Sequence, residues 1–348
     1  MMRGNLGLVF AVAVLTATSV IVLQSIVPFI FPQYYFYIAL GIVMFIVFSF
    51  IDFSVLSAFS PHLYVASIVF LLLPFLVGQV TRGVVRWVGV GELTIQPSEI
   101  VRPFLILFYA VYLAKEDKVR LTAVRTGKAL IFLFIPFILI LLQPSLGVAV
   151  LTLIGFFGVF LSLNYDKKIL PVGMLIFIIA LPVFWLVLAP YQKLRVITLI
   201  NPMADPYGAG YNSIQSVITI GSGGVWGKGL GKGVQTQLEF LPERHTDFIF
   251  ASIAEEMGLV GALFVLLVSF FLLYQIIVPI QKGGNYLERA FLSGIFLTLF
   301  TQVAVHVGMN MGLAPITGLP LPLVSAGGSS YLATMIMLGI VARVRVLA

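Results

Sequence analysis

Apolar residues run along this chain in long unbroken stretches, not in the alternating or helix-face patterns of a water-facing fold. A membrane-crossing helix needs about 20 apolar residues. That ruler picks out ten segments, roughly 6–27, 34–51, 62–80, 98–114, 128–143, 146–163, 169–190, 257–279, 290–311 and 328–345. Lipid gives the backbone nothing to hydrogen-bond, so spans are helices or closed barrels. Barrel strands would alternate apolar with polar residues over short segments, and these stretches do not. The pattern predicts an all-α polytopic integral membrane protein: ten transmembrane helices in one domain over 1–348, with a large outer loop, 191–256, between helices 7 and 8. Gln143-Pro144-Ser145 alone parts the fifth and sixth spans and predicts a tight hairpin. Met1-Met2-Arg3 imitates the start of a signal peptide. The apolar run behind it is longer than the usual 7–15 or so residues, so an uncleaved first helix is expected.

Composition sharpens this. Hydrophobic residues make up 60% of the 348 and charged ones 9%, against about 25% charged in a soluble domain. Soluble enzymes, nucleic-acid-binding proteins and disordered tails are excluded; the lipid bilayer is the expected surrounding. The absence of cysteine excludes disulfides, thiolate metal sites and thiol nucleophiles. His62, His245 and His306 lie in different segments with no metal-ligand spacing.

Loop charge sets orientation. With the N-terminus in the cytoplasm, 12 of the 20 basic residues fall on the inner side: Arg3, Lys115, Lys118, Arg120, Arg125, Lys128, Lys167, Lys168, Lys282, Arg289, Arg343 and Arg345. Both termini are then cytoplasmic. The other eight are Arg82, Arg86, Arg102, Lys193, Arg195, Lys228, Lys232 and Arg244, in or beside three outer segments. Two readings are open for them. Long outer loops are exempt from the charge rule, or an anionic ligand binds on the outer face.

The outer segments hold the densest motifs. Gly221 to Gly233 has seven glycines in thirteen residues. A P-loop ending at Gly227-Lys228 needs glycine at Ser222 and serine or threonine at Gly229, and no frame supplies G-x-G-x-x-G. Nucleotide binding is disfavoured. An anion cradle flanked by Lys228 and Lys232 stays open beside a flexible or tightly turned loop. In Leu241-Pro-Glu-Arg-His-Thr-Asp247-Phe-Ile-Phe250, Thr246 and Asp247 are natural N-caps, so a helix is expected to start there. On one continuous helix Asp247, Ala251, Ala254, Gly258 and Gly261 share a face within about 40°. Glu255 and Glu256 are costly in hydrocarbon, which places the span's start near Met257. Glu99 and Arg102, at i,i+3 in Gln96-Pro-Ser-Glu-Ile-Val-Arg102, either line a cavity or pair at the surface. Gly308 to Ser330 is irregular backbone, which survives at membrane depth only inside protein or lining a cavity.

Together, QPSE at 96–99, NP at 201–202, DP-Y-GAGY at 205–211, GSGG-x-x-GKGLG at 221–231, LPERHTDFIF at 241–250, AEE-x-G at 254–258 and GLPLPLVS-x-GGSS at 318–330 resemble the SEDS membrane proteins. These are the peptidoglycan glycosyltransferases of shape, elongation, division and sporulation. Arg244 in Pro-Glu-Arg-His resembles the RodA branch; the FtsW branch typically has alanine there. The resemblance implies an enzyme of the bacterial cytoplasmic membrane that joins lipid II units on the outer face, with glycan on undecaprenyl pyrophosphate as donor. It implies Asp247 as the catalytic acid of the HTDF motif. Glu99, Arg102, Lys228, Arg244, His245, Thr246 and Ser325 become substrate-binding candidates. A carboxylate within reach must take the acceptor hydroxyl's proton. Negative charge on the departing pyrophosphate must be met by arginine and lysine or by a divalent cation, Mg or Mn. No other cofactor is implied. Three departures stand out: Ser145 for the family's aspartate, His306 for asparagine and Ala326 for tyrosine.

A lipid II flippase is the competing class, but the expected internal repeats and two-sided charge are absent from the sequence. A noncatalytic scaffold would not need Asp247. There is no S-x-x-K acylation motif, so crosslinking needs a second protein. The resemblance implies a class B penicillin-binding protein transpeptidase.

Overall fold

The computed structural model of the chain describes residues 2–347 apart from 82–83, 92, 115–121, most of 166–187 and 283–284. The seventh predicted span, and with it Lys167 and Lys168, lies largely outside the described residues, as do Arg82, Lys115, Lys118 and Arg120.

Six described helices carry runs long and apolar enough to cross a membrane: α1 (Met2–Ile26), α2 (Phe31–Phe50), α4 (Ser60–Val77), α7 (Ala123–Leu142), α12 (Ile249–Lys282) and α13 (Tyr286–Asn310). Two more are apolar over shorter stretches: α8 (Leu146–Leu161), and α14 (Gly328–Leu347) over Gly328–Val344. The short α3 (Phe53–Ala58) turns the chain between α2 and α4. The fourth predicted span is broken into α5 (Pro97–Ile100) and α6 (Arg102–Leu113). Pro103 is the cause, since it has no N–H to give the carbonyl of Glu99.

The all-α expectation needs a correction. Between α4 and α5 the chain forms a three-stranded antiparallel sheet: β1 (Gln79–Thr81), β2 (Val84–Val90) and β3 (Leu93–Ile95). Val88 pairs with Ile95 and Val90 with Leu93 around a turn at Gly91. The signal was present in the valine-rich run Val84-Val-Arg-Trp-Val-Gly-Val90, which suits a pleated surface. The loop 191–256 is also largely ordered into α9 (Pro190–Ile200), α10 (Ala209–Ser222) and α11 (Val234–Gln237).

One contiguous apolar core joins α1, α2, α4, α6, α7, α8, α12, α13 and α14. Small residues let the innermost helices touch. A Cβ on Gly158 of α8 would lie 2.6 Å from the carbonyl oxygen of Ser293 on α13, so these backbones are in contact. Such close approach is how helices gain packing where the surrounding lipid offers no hydrophobic drive. Aromatic rings lock α4, α6 and α7, with Tyr64 stacked on Phe108 at 4.2 Å and Phe132 edge-on to both. This bundle is the frame that holds the polar segments at one end of α12 and α13.

Candidate active site

The 241–248 stretch is a chain of turns, not the start of a helix. Helix α12 begins at Ile249, so Thr246 and Asp247 stand outside it, contrary to the expected N-cap. The expected continuous small-residue face fails too. At Gly258 the backbone takes φ 70° and ψ −169°, and α12 is two helices joined by a kink. The break does fall beside Met257, where the span was expected to start.

The glycine-rich loop explains the kink. Leu259 and Val260 open the second helix without helical acceptors, and their N–H groups donate to the carbonyls of Gly224 and Val225 at 2.9 and 3.2 Å. The first helix ends with carbonyls of Glu255 and Glu256 that accept from the N–H groups of Lys228 and Gly229 at 3.0 and 2.9 Å. Orphan groups on both sides of the break are thus satisfied by one loop. A Cβ at Gly227 would sit 2.3 Å from the Glu256 carbonyl, so the loop must be glycine there. The remaining donors grip two buried carboxylates. Glu255 accepts from the N–H groups of Gln235 and Thr236, each at 3.0 Å, and from Lys228 Nζ at 3.3 Å. Glu256 accepts from Ser25 Oγ of α1 at 2.7 Å and from the N–H of Gly231 at 3.0 Å. The tightly turned reading of the loop is correct, and the anions in its cradle are the chain's own. Lys228 therefore belongs to this splice, apart from Asp247.

Asp247 is half-buried, on a loop held from the C-terminal side by residues 310–326. The Asn310 carboxamide donates to the Asp247 carbonyl at 3.0 Å. Ser325 Oγ donates to the Thr246 carbonyl and accepts from the N–H of Leu321, both at 2.8 Å. Ala326 N–H donates to the His245 carbonyl at 2.9 Å. Thr246 Oγ1 donates to the Glu243 carboxylate at 3.0 Å, within a turn whose Glu243 sits at φ 53°. Arg244 pairs with Glu239 at 2.8 Å and its own carbonyl accepts from Ser252 Oγ. The Asp247 carboxylate lies against Gly318, 3.6 Å from where a Cβ there would stand.

Glu99 and Arg102 are not a surface pair; they are 4% and 1% exposed. Arg102 Nη2 stands 3.9 Å from Glu99, and Nη1 donates to Gln302 Oε1 at 2.9 Å. Gln302 Nε2 in turn donates to the Pro320 carbonyl at 2.8 Å. Glu99 also feels the charges of Arg86, on β2, and of Asp247. Asp247 and Arg86 thus stand within electrostatic range of the Glu99–Arg102 pair. Arg195, on α9, donates to the Ile316 carbonyl at 3.0 Å and fixes the same irregular segment from the loop side. Among the described residues no three His, Asp or Glu side chains gather in a way that could hold a metal ion.

The three departures from the family pattern are accommodated. Ser145 Oγ accepts from Gln96 Nε2 at 3.1 Å, His306 Nδ1 meets the Leu319 carbonyl at 2.8 Å, and Ala326 contributes its backbone N–H. Sequence reading did not single out Asn310, Gln302 or Gln96 as functional. Each was a polar residue in an apolar helix or at its end, which is the signal that marks a buried role.

With this geometry in place, the comparisons decide the relationship. The model of the FtsW/RodA/SpoVE family, described as a cell cycle protein, matches residues 1–348. The chain belongs to the FtsW/RodA/SpoVE family. It is 40% identical to the peptidoglycan glycosyltransferase MrdB of Escherichia coli strain K12 over 306 residues, 87% of this chain and 82% of that one. It is 35% identical to the probable peptidoglycan glycosyltransferase FtsW of Tolumonas auensis over 292 residues, 82% and 75% of the two chains. Among solved structures, a chain from a peptidoglycan synthase complex that coordinates polymerization and crosslinking superposes with a TM-score of 0.84 at 32% identity. That match covers 97% of this chain and 96% of the other. The rod shape determining protein RodA of Thermus thermophilus gives 0.73 at 30% identity, over 97% and 95%.

Proposed function

We propose that this chain is a peptidoglycan glycosyltransferase of the RodA type that polymerises lipid II, with Asp247 as general base. The observation that carries the assignment of the base is the placement of its carboxylate. It sits half-buried on a non-helical loop fixed through three consecutive carbonyls, within electrostatic range of Glu99.

The chemistry follows from that placement. The 4-hydroxyl of the incoming lipid II is a weak nucleophile at neutral pH. Asp247 takes its proton as the oxygen attacks the anomeric carbon of the glycan donor. A C–O bond forms, the bond to the undecaprenyl pyrophosphate breaks, and the electron pair leaves with the phosphate. Arg86 and the other basic side chains on this side meet the new charge. Arg102 acts from beneath: its guanidinium is buried on Gln302 and Glu99 and holds the 318–330 segment in shape. His245, Thr246, Arg244 and Ser325 shape the loop from which Asp247 projects. Lys228 serves the site at a distance, by pairing with Glu255 in the splice at Gly258.

The same reading places ten spans in the cytoplasmic membrane, both termini inside and the Asp247 end outside. A class B penicillin-binding protein is the crosslinking partner. The test is lipid II polymerisation by the purified protein, alone and with that partner, against Asp247→Asn. Loss of polymer with lipid II binding retained supports the reading. Undiminished polymer from Asp247→Asn removes the base and reopens the transport class.

A further inference from the structure

In an uninterrupted helix the N–H of residue 251 bonds to the carbonyl of residue 247. Here that bond is absent, and a side chain from another helix occupies its place. Asn310, the last residue of α13, accepts from the Ala251 N–H through Oδ1 at 3.0 Å and donates through Nδ2 to the Asp247 carbonyl at 3.0 Å. The regular pattern resumes one residue later, where Ser252 N–H reaches the Phe248 carbonyl at 3.1 Å. Asn310 is 0% exposed. Its Nδ2 also reaches the His306 carbonyl at 2.8 Å, and its own carbonyl accepts from Ser216 Oγ of α10 at 2.8 Å.

We infer that Asn310 is a positioning residue whose carboxamide is wedged into the first turn of α12, holding it open and setting the direction of the Asp247 carboxylate. The inference rests on the reading of Asp247 as the base. A carboxamide suits this place because it has one acceptor and one donor, matching one N–H and one carbonyl. Leucine has the volume and neither group. Aspartate has the acceptor and lacks the donor. Without the wedge, Ala251 N–H and Asp247 carbonyl are free to bond directly. The helix then starts one residue earlier, at Phe248, and Asp247 becomes its N-cap, which turns the backbone that carries the carboxylate. A carboxylate displaced by about 1 Å can lose on the order of 100-fold in rate with substrate binding intact.

The wedge also explains why the loop is fixed at both Asp247 and Thr246. Asn310 and Ser325 come from opposite ends of the irregular segment, so this segment, not α12, defines where the acid stands.

The experiment uses full-length protein with lipid II as substrate, comparing Asn310→Leu, Asn310→Asp and Ser216→Ala with wild type and Asp247→Asn. Expected are a fall in kcat of about 10-fold or more for the first two, KM within about twofold, and a displaced pH profile of kcat. Ser216→Ala, which loosens Asn310 without touching Asp247, should show the same pattern more weakly. A structure of the Leu variant should show α12 beginning at residue 248, with Asp247 as its N-cap. If that variant does not fold, the isosteric Asp variant and Ser216→Ala carry the kinetic test. Wild-type kcat and pH profile in the folded variants, or an unmoved Asp247, would overturn the inference. Wild-type activity in Asp247→Asn would instead remove the base assignment, and the helix start in the Leu variant would still decide the wedge.

Discussion

At the scale of single residues, the proposed mechanism separates a group that does chemistry from groups that hold it. Asp247→Asn is expected to lower the polymerisation rate by about 10²–10⁴-fold with unchanged thermal unfolding, measured on the same purified samples. Ser325→Ala is expected to act the other way round. It strands the buried N–H of Leu321 and frees the Thr246 carbonyl, at a cost of about 1–3 kcal/mol, so the unfolding midpoint should fall. A rise in KM with stability unchanged would instead make Ser325 a direct substrate contact. The candidate acid was legible, because HTDF is a local motif in one stretch of chain. Its support was not. Asn310 lies 63 residues from Asp247 and Gln302 lies 200 from Arg102, and no local pattern announces a hydrogen bond across such separations.

Elements tell a similar story with a different cause. Apolar runs of span length foretold α1, α2, α4, α7, α8, α13 and α14 because hydrocarbon selects strongly for them. The breaks at Val101 and Gly258 were misread as continuous, since hydropathy registers neither the N–H that Pro103 lacks nor the backbone torsion at Gly258. The glycine loop was left open between a tight turn and an anion cradle, and its purpose appears only when both ends of the Gly258 break are seen against it. Two variants separate its parts. In Glu255→Gln an amide N–H must face the donors of Gln235 and Thr236, with the loss of charge-assisted bonds that contribute about 1.5–3 kcal/mol each. It should unfold well below wild type in a thermal scan. Lys228→Ala removes a partly exposed contact and should leave the midpoint nearly unchanged; a large drop there would show that Lys228 is the keystone of the loop.

Over the whole molecule, orientation is the open geometrical question, and the absence of cysteine makes it simple to address. Single cysteines at Trp226, on the glycine loop, and at Lys282, at the far end of α12, should label with a membrane-impermeant thiol reagent from opposite sides of the membrane. Labelling of Trp226→Cys only after the cells are opened would invert the topology and put the Asp247 end inside. Partner action belongs to this scale too. Polymerisation should quicken in the presence of the penicillin-binding protein, by a shift in the population of active conformations; a rate unchanged at saturating partner would end that part of the reading. The long-range tie between Arg102 and the segment after α13 has a further consequence, for biogenesis. Arg102 enters the membrane early, yet Gln302 and the Pro320 carbonyl reach it only after some 200 more residues have been made. Until then a buried guanidinium has Glu99 as its sole partner in this network, and Asp247 has neither Asn310 nor Ser325 to aim it. A chain truncated before α13 is therefore expected to leave Arg102 short of its partner, and a pulse-chase should show it lost faster than the full chain.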